Sequence, residues 1–117
     1  MTDVRITGLS IYPVKSMKGI DVSEARLTAE GLEHDRRYMV VRPEGQFVTQ
    51  RDLPRLALIH TALEGGQILL SRTGFGAMQI PASSEPGELI HTRVWGDHCE
   101  TTDLGDEIAR WLQSALE

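Results

Sequence analysis

The feature that most limits how this chain can fold is its punctuation. Short runs of alternating apolar and polar residues are each closed by a turn signal. Pro43-Glu44-Gly45 separates residues 37–42 from residues 46–50, and Glu64-Gly65-Gly66 separates residues 56–63 from residues 67–71. Proline presets one turn dihedral and glycine supplies positive φ, so each site predicts an antiparallel hairpin. Residues 23–28 alternate too, with Ala25 and Leu27 opposite Glu24, Arg26 and Thr28, and Gly31 marks the next turn. Residues 4–14 predict the first strand. Its apolar phase passes through Val4 and Ile6, then shifts at Gly8 to Leu9 and Ile11, as at a bulge. Weaker strand patterns follow at residues 77–80 and 89–95.

The end of the chain changes period. Ile108, Trp111, Leu112 and Ala115 recur at helical spacing, which predicts a helix from about residue 105 to 116 packed through its tryptophan face. Asp103 is placed to cap it, and Asp106 and Glu107 suit its first turn. The last turn has no basic residue and no closing glycine, and Glu117 has the wrong sign for that end of the dipole. Two readings stay open: a fraying terminal helix, or a domain excised from a longer chain. The fold expected is mainly β, an antiparallel β-barrel with one C-terminal α-helix, in a single domain over residues 1–117.

Composition narrows the partners. With 40% apolar and 25% charged residues the chain has material for a core and does not read as disordered. A net charge of -5 argues against a nucleic-acid polymer or an anionic membrane as partner, while leaving room for a small anion held by a local cluster. Cys99 is the single cysteine, so no internal disulfide forms. Met1-Thr2-Asp3-Val4-Arg5 does not read as a secretion signal, and no apolar run approaches a membrane span. The expected compartment is the cytoplasm.

Four clusters could carry chemistry. Tyr12-Pro13-Val14-Lys15-Ser16-Met17-Lys18-Gly19 places two ammonium groups, a hydroxyl and flexible backbone at the end of a strand. Such a turn can present Lys15, Ser16 and backbone N–H groups to an anion, or be a solvated basic turn. His34-Asp35-Arg36-Arg37 offers a guanidinium fork, only one arginine of which faces a given side of a strand; a turn made by Asp35 with surface ion pairs is the plainer reading. Gln50-Arg51-Asp52-Leu53-Pro54-Arg55-Leu56 reads as a connection, with a role at a ligand mouth as its alternative. Trp95-Gly96-Asp97-His98-Cys99-Glu100 invites a metal, yet no second ligand pair stands at metal spacing, and His34, His60 and His91 are scattered. No metal site is expected. No nucleophile–base set can be assembled, so no catalytic residue is assigned.

Taken in order, these segments resemble the MOSC N-terminal β-barrel domain. The resemblance runs through Ile11-Tyr12-Pro13-Val14-Lys15-Ser16-Met17-Lys18-Gly19-Ile20, Gly31-Leu32 and Asp35-Arg36-Arg37-Tyr38-Met39-Val40-Val41. It continues through Gly45-Gln46-Phe47-Val48-Thr49-Gln50-Arg51, Pro54-Arg55-Leu56-Ala57-Leu58-Ile59 and Val94-Trp95-Gly96-Asp97, and closes with Asp103-Leu104-Gly105-Asp106 and Ala109-Arg110-Trp111-Leu112. This family takes in the mitochondrial amidoxime-reducing component and bacterial relatives that reduce N-hydroxylated compounds. The resemblance implies a C-terminal MOSC domain in the same natural chain, and an electron-donor domain or protein. It also implies a molybdenum cofactor (pyranopterin) whose metal is held by a cysteine of that MOSC domain. Carried over by motif, Lys15, Ser16 and Arg36 would contact the cofactor's phosphate and pterin end. Cys99 lies outside any such motif and is not given the metal.

Three functions compete on the sequence. The first is half of a reductase site, completed by a MOSC domain. The second is an adaptor module that docks a protein without touching cofactor. The third is a stand-alone small enzyme, which the lack of a nucleophile or metal set ranks last.

Overall fold

The computed structural model describes residues 3–80, 89–94 and 97–117; in the last hairpin, side chains are described only for Thr92, Val94, Thr101 and Thr102. Strands dominate and one α-helix closes the chain. The order is β1 (Leu9–Ile11), β2 (Ile20–Val22), β3 (Leu27–Thr28), β4 (Gly31–Leu32), β5 (Val40–Val41), β6 (Phe47–Val48), a 3₁₀ turn (Pro54–Leu58), β7 (His60–Glu64), β8 (Gln67–Arg72), β9 (Gly76–Gln79), β10 (Leu89–Val94), β11 (Asp97–Thr102) and α1 (Asp106–Leu116).

Both glycine-marked hairpins form where turn chemistry places them. β7 and β8 pair in register up to Glu64 opposite Gln67, joined by Gly65 and Gly66 at φ 57° and 80°. Two consecutive positive φ values make the tight hairpin turn whose twist matches its strands. β5 and β6 pair through Val41 and Phe47; the Gly45 N–H donates to the Arg42 carbonyl at 2.8 Å, and Gly45 sits at φ 91°. β9 extends the β7–β8 ladder, and β10 pairs with β11 from Leu89–Thr102 to Val94–Asp97.

The described ladders do not close into one barrel. They are five: β1–β2, β3–β4, β5–β6, β7–β8–β9 and β10–β11. Four of the strands are two residues long, too short to carry a ladder from one neighbour to the next. The expected first strand shrinks to three residues. Val4 and Ile6 are exposed outside any ladder, and β1 begins only at Leu9. The strand expected over residues 56–63 starts at His60, because Pro54 at the first helical position and the backbone bond from the Leu56 N–H to the Leu53 carbonyl turn residues 54–58 into 3₁₀ geometry.

The core gathers from these pieces. Val14, Met17, Val48, Leu56, Ile59, Ile68, Leu70, Ile80, Ile108, Ala115 and Leu116 are buried against each other. The helix forms where the period predicts it, with two corrections. Its N-cap is Gly105, without a side-chain cap; the Asp103 carboxylate, two residues before it, accepts instead from the Gly105 N–H at 2.9 Å. Trp111 is half-buried rather than central. Its Nε1–H donates to the Phe75 carbonyl at 2.9 Å, and the deep contacts fall to Ile108, Ala115 and Leu116.

Candidate functional site

The eight residues between β1 and β2, Tyr12 to Gly19, are the basic cluster singled out in the sequence. They are not a loose loop. Pro13, Val14 and Met17 are buried, so the segment is anchored in the core and its polar residues are turned outward. Residues 36–38 run alongside it. The Arg36 N–H donates to the Tyr12 carbonyl at 2.6 Å, the Tyr38 N–H to the Pro13 carbonyl at 3.2 Å, and the Lys15 N–H to the Tyr38 carbonyl at 2.9 Å. A parallel bridge between Val14 and Tyr38 lies within this run. The two clusters, some twenty residues apart in sequence, are therefore one patch of backbone.

Within it, Ser16 has φ 73° and Arg36 has φ 49°. Residues with side chains rarely adopt this left-handed region, where Cβ crowds the following carbonyl. Among the described residues only His34, at φ 67°, shares that property without being glycine. Gln50 reaches across to hold the strained turn, its Nε2 donating to the Ser16 carbonyl at 2.7 Å. The turn is held further on as well, where the Lys18 N–H donates to the Ile59 carbonyl and the Thr61 hydroxyl donates to the Lys18 carbonyl.

The side chains of the three expected anion contacts rest differently. The Lys15 ammonium stands 4.4 Å from the centre of the Phe47 ring. Arg36 lies over the Tyr12 ring at 5.0 Å, with one nitrogen 2.6 Å from Asp35 Oδ2. A guanidinium has five N–H donors, so this pairing leaves others for a ligand. Ser16 is half-buried, and among the described residues its hydroxyl has no hydrogen-bond partner. The structure thus unites the segments of Lys15, Ser16 and Arg36 by backbone bonds, while Lys15 and Arg36 lean on separate rings.

Arg36 and Arg37 part company, but not by strand alternation. Residues 33–36 form a turn, and Arg37 leaves toward Glu30, 3.7 Å away, with both side chains more than half exposed. Such a pair contributes little. An open cleft of about 200 Å³ is lined by Ile11, Val22, Ala25 and Leu63 together with Glu24, Arg26, Glu33 and His34. None of Lys15, Ser16 and Arg36 lines it; Lys15 and Ser16 are half-buried and the Arg36 side chain is exposed. The side chains of residues 95–100, the suspected metal cluster with Cys99, lie outside the described residues. Of Cys99 the backbone is seen, opposite Thr92.

Sequence reasoning missed Tyr12 and Gln50 as builders of this patch. Asp35 makes the turn that the plainer reading of its cluster expected, and it also holds the Tyr12 N–H and the Arg36 guanidinium. Gln50 had none, because its partner is the Ser16 carbonyl 34 residues away.

The comparisons with known proteins point one way. The family described as the MOSC N-terminal beta barrel domain matches residues 3–117. Mitochondrial amidoxime reducing component 2 of Rattus norvegicus is 38% identical over 112 residues, covering 92% of this chain and 33% of the relative. Mitochondrial amidoxime-reducing component 1 of Homo sapiens is 38% identical over 117 residues, covering 96% of this chain and 35% of the relative. The chain thus spans about a third of the length of these curated relatives. A solution structure of a Bordetella bronchiseptica protein superposes with a TM-score of 0.60 at 21% identity, over 74% of each chain, and supports the fold alone.

Proposed function

This chain belongs to the MOSC N-terminal beta barrel domain family, and on that footing we propose that it forms the phosphate-binding side of a molybdenum-cofactor-dependent reductase of N-hydroxylated compounds. One observation carries the reading. Ser16 and Arg36, two of the three non-glycine residues with left-handed φ among those described, lie on segments bonded to each other. Strain of this kind persists where the surroundings over-determine it, and it collects at ligand sites.

The residues fit the phosphate end of such a cofactor. Lys15 brings a point charge, Arg36 a planar fork and Ser16 a hydroxyl, a donor set that suits a phosphate dianion. The metal end needs a different donor, a thiolate, which the proposal gives to a MOSC domain in the remaining two-thirds of the relatives' length. When bound, the cofactor supplies the two-electron redox centre for reducing an N–O bond. This chain's own residues do the holding: Lys15 and Arg36 offset the phosphate charge, and Ser16 donates to one oxygen. The Arg36 side chain is exposed, so the MOSC domain is the wall that excludes water and strengthens those bonds. An electron-donor domain or protein completes the reaction. Closure of the five ladders into one barrel belongs to the same reading, supported by the family's description and by the core that β6, β8 and α1 share.

The experiment measures molybdenum and pterin content and reductase activity in the full-length protein. Lys15→Ala and Arg36→Ala each lower both by about tenfold or more, the size of one charge-assisted contact of roughly 1.5–3 kcal/mol. Arg37→Ala leaves both near wild type. Full cofactor retention in Lys15→Ala and Arg36→Ala would return the chain to the adaptor reading.

A further inference from the structure

The guanidinium of Arg36 is not simply near an aromatic ring; it is built onto one. We infer that Tyr12 is a positioning residue for Arg36, a platform that aims the guanidinium and is itself seated against Gly19. The inference rests on the proposed phosphate role of Arg36.

Three contacts tie the two residues. The Arg36 N–H donates to the Tyr12 carbonyl at 2.6 Å, and the guanidinium lies 5.0 Å over the Tyr12 ring, inside cation–π range. The Asp35 carboxylate clamps both partners: Oδ1 accepts from the Tyr12 N–H at 2.7 Å and Oδ2 from Arg36 Nη1 at 2.6 Å. An arginine as exposed as this one, at 58% of its side chain, would otherwise sample many rotamers and lose them on binding an anion. Fixing the ring fixes the fork before the ligand arrives.

Gly19 explains why the ring stays put. It is not among the glycines at positive φ, so backbone conformation does not require it. Space does: a Cβ there would lie 2.7 Å from Cε1 and 2.8 Å from Cζ of Tyr12, closer than real contacts allow. The ring is partly exposed, so an added methyl pushes it off its seat without opening the core. The platform is the ring face, and the phenol hydroxyl has no part in it.

The test uses the full-length protein and reads molybdenum and pterin per chain after dilution at about 0.1 and 0.5 M salt, where exposed charge pairs are increasingly screened. Arg36→Ala, Tyr12→Ala, Tyr12→Phe, Gly19→Ala and the double variant Tyr12→Ala/Arg36→Ala are compared, each checked for a native thermal transition. Tyr12→Ala and Gly19→Ala weaken retention by about two- to fivefold, the worth of an exposed cation–π contact. Tyr12→Phe restores it, and Tyr12→Ala adds nothing once Arg36 is gone. A further loss in the double variant, or a defect in Tyr12→Phe equal to that of Tyr12→Ala, overturns the inference by making Tyr12 a general packing residue. Wild-type retention in Tyr12→Ala beside a clear loss in Arg36→Ala also overturns it while leaving the phosphate reading standing. Wild-type retention in Arg36→Ala removes both.

Discussion

Ser16 shows how a single residue can be kept at a cost to stability. At φ 73° it occupies a conformation that glycine adopts freely and serine does not. If that position served the turn alone, glycine would be the better residue. Ser16→Gly is therefore expected to raise stability by about 0.5–1 kcal/mol, the relief of the left-handed strain less the added chain entropy of glycine. Ser16→Ala keeps the strain and gains nothing. Both remove the hydroxyl, so both lower cofactor retention in the full-length protein. Urea unfolding beside pterin analysis separates the two effects; a Ser16→Gly protein that is more stable and retains cofactor fully would leave the serine without a ligand role. Lys15, Ser16 and Arg36, the proposed contacts, were singled out through motifs that resemble the family's, and their segments meet in the fold. Tyr12 and Gly19 were not, since a close approach between a ring and a missing Cβ leaves no trace in spacing.

At the scale of elements, α1 is finished by other parts of the chain. Its own last turn has no basic residue, which read from sequence as an unsatisfied end. In the fold, Arg72 of β8 donates to the Ala115 carbonyl and Arg55 of the 3₁₀ turn to the Leu116 carbonyl at 3.5 Å. Two guanidiniums thus meet the negative end of the helix dipole from outside it. Arg72→Ala is expected to cost about 1–2 kcal/mol in chemical unfolding, the loss of a charge-assisted bond to an otherwise orphaned carbonyl. Trp111→Phe, which keeps a ring but loses the bond to the Phe75 carbonyl, should cost about 1 kcal/mol. Trp111→Ala should cost about 2 kcal/mol, less than the roughly 3–5 kcal/mol of a fully buried tryptophan. A Trp111→Ala cost at the upper figure would show the ring to be more central than its half-buried position implies. The elements that sequence located well, β7–β8 and β5–β6, are those where glycine φ dictates the turn. Residues 56–58 were misread because a short apolar run has no period to separate a strand from a 3₁₀ turn, and β2 escaped because three residues are too few to alternate.

The molecule as a whole leaves large apolar side chains uncovered among its described residues. Val4, Ile6 and Leu27 are among the apolar side chains left in solvent. These uncovered side chains and the cationic patch support the proposed reading of the chain as one side of a larger site. In the proposed role, the patch of Lys15, Ser16 and Arg36 holds the phosphate of a molybdenum cofactor whose metal is held elsewhere. A crystal structure of the full-length protein with cofactor bound decides it. The phosphate oxygens are expected within about 2.7–3.2 Å of Lys15 Nζ, Ser16 Oγ and the Arg36 guanidinium, with that guanidinium still lying on Tyr12. A cofactor phosphate enclosed wholly by the other domain, out of reach of all three residues, would contradict it.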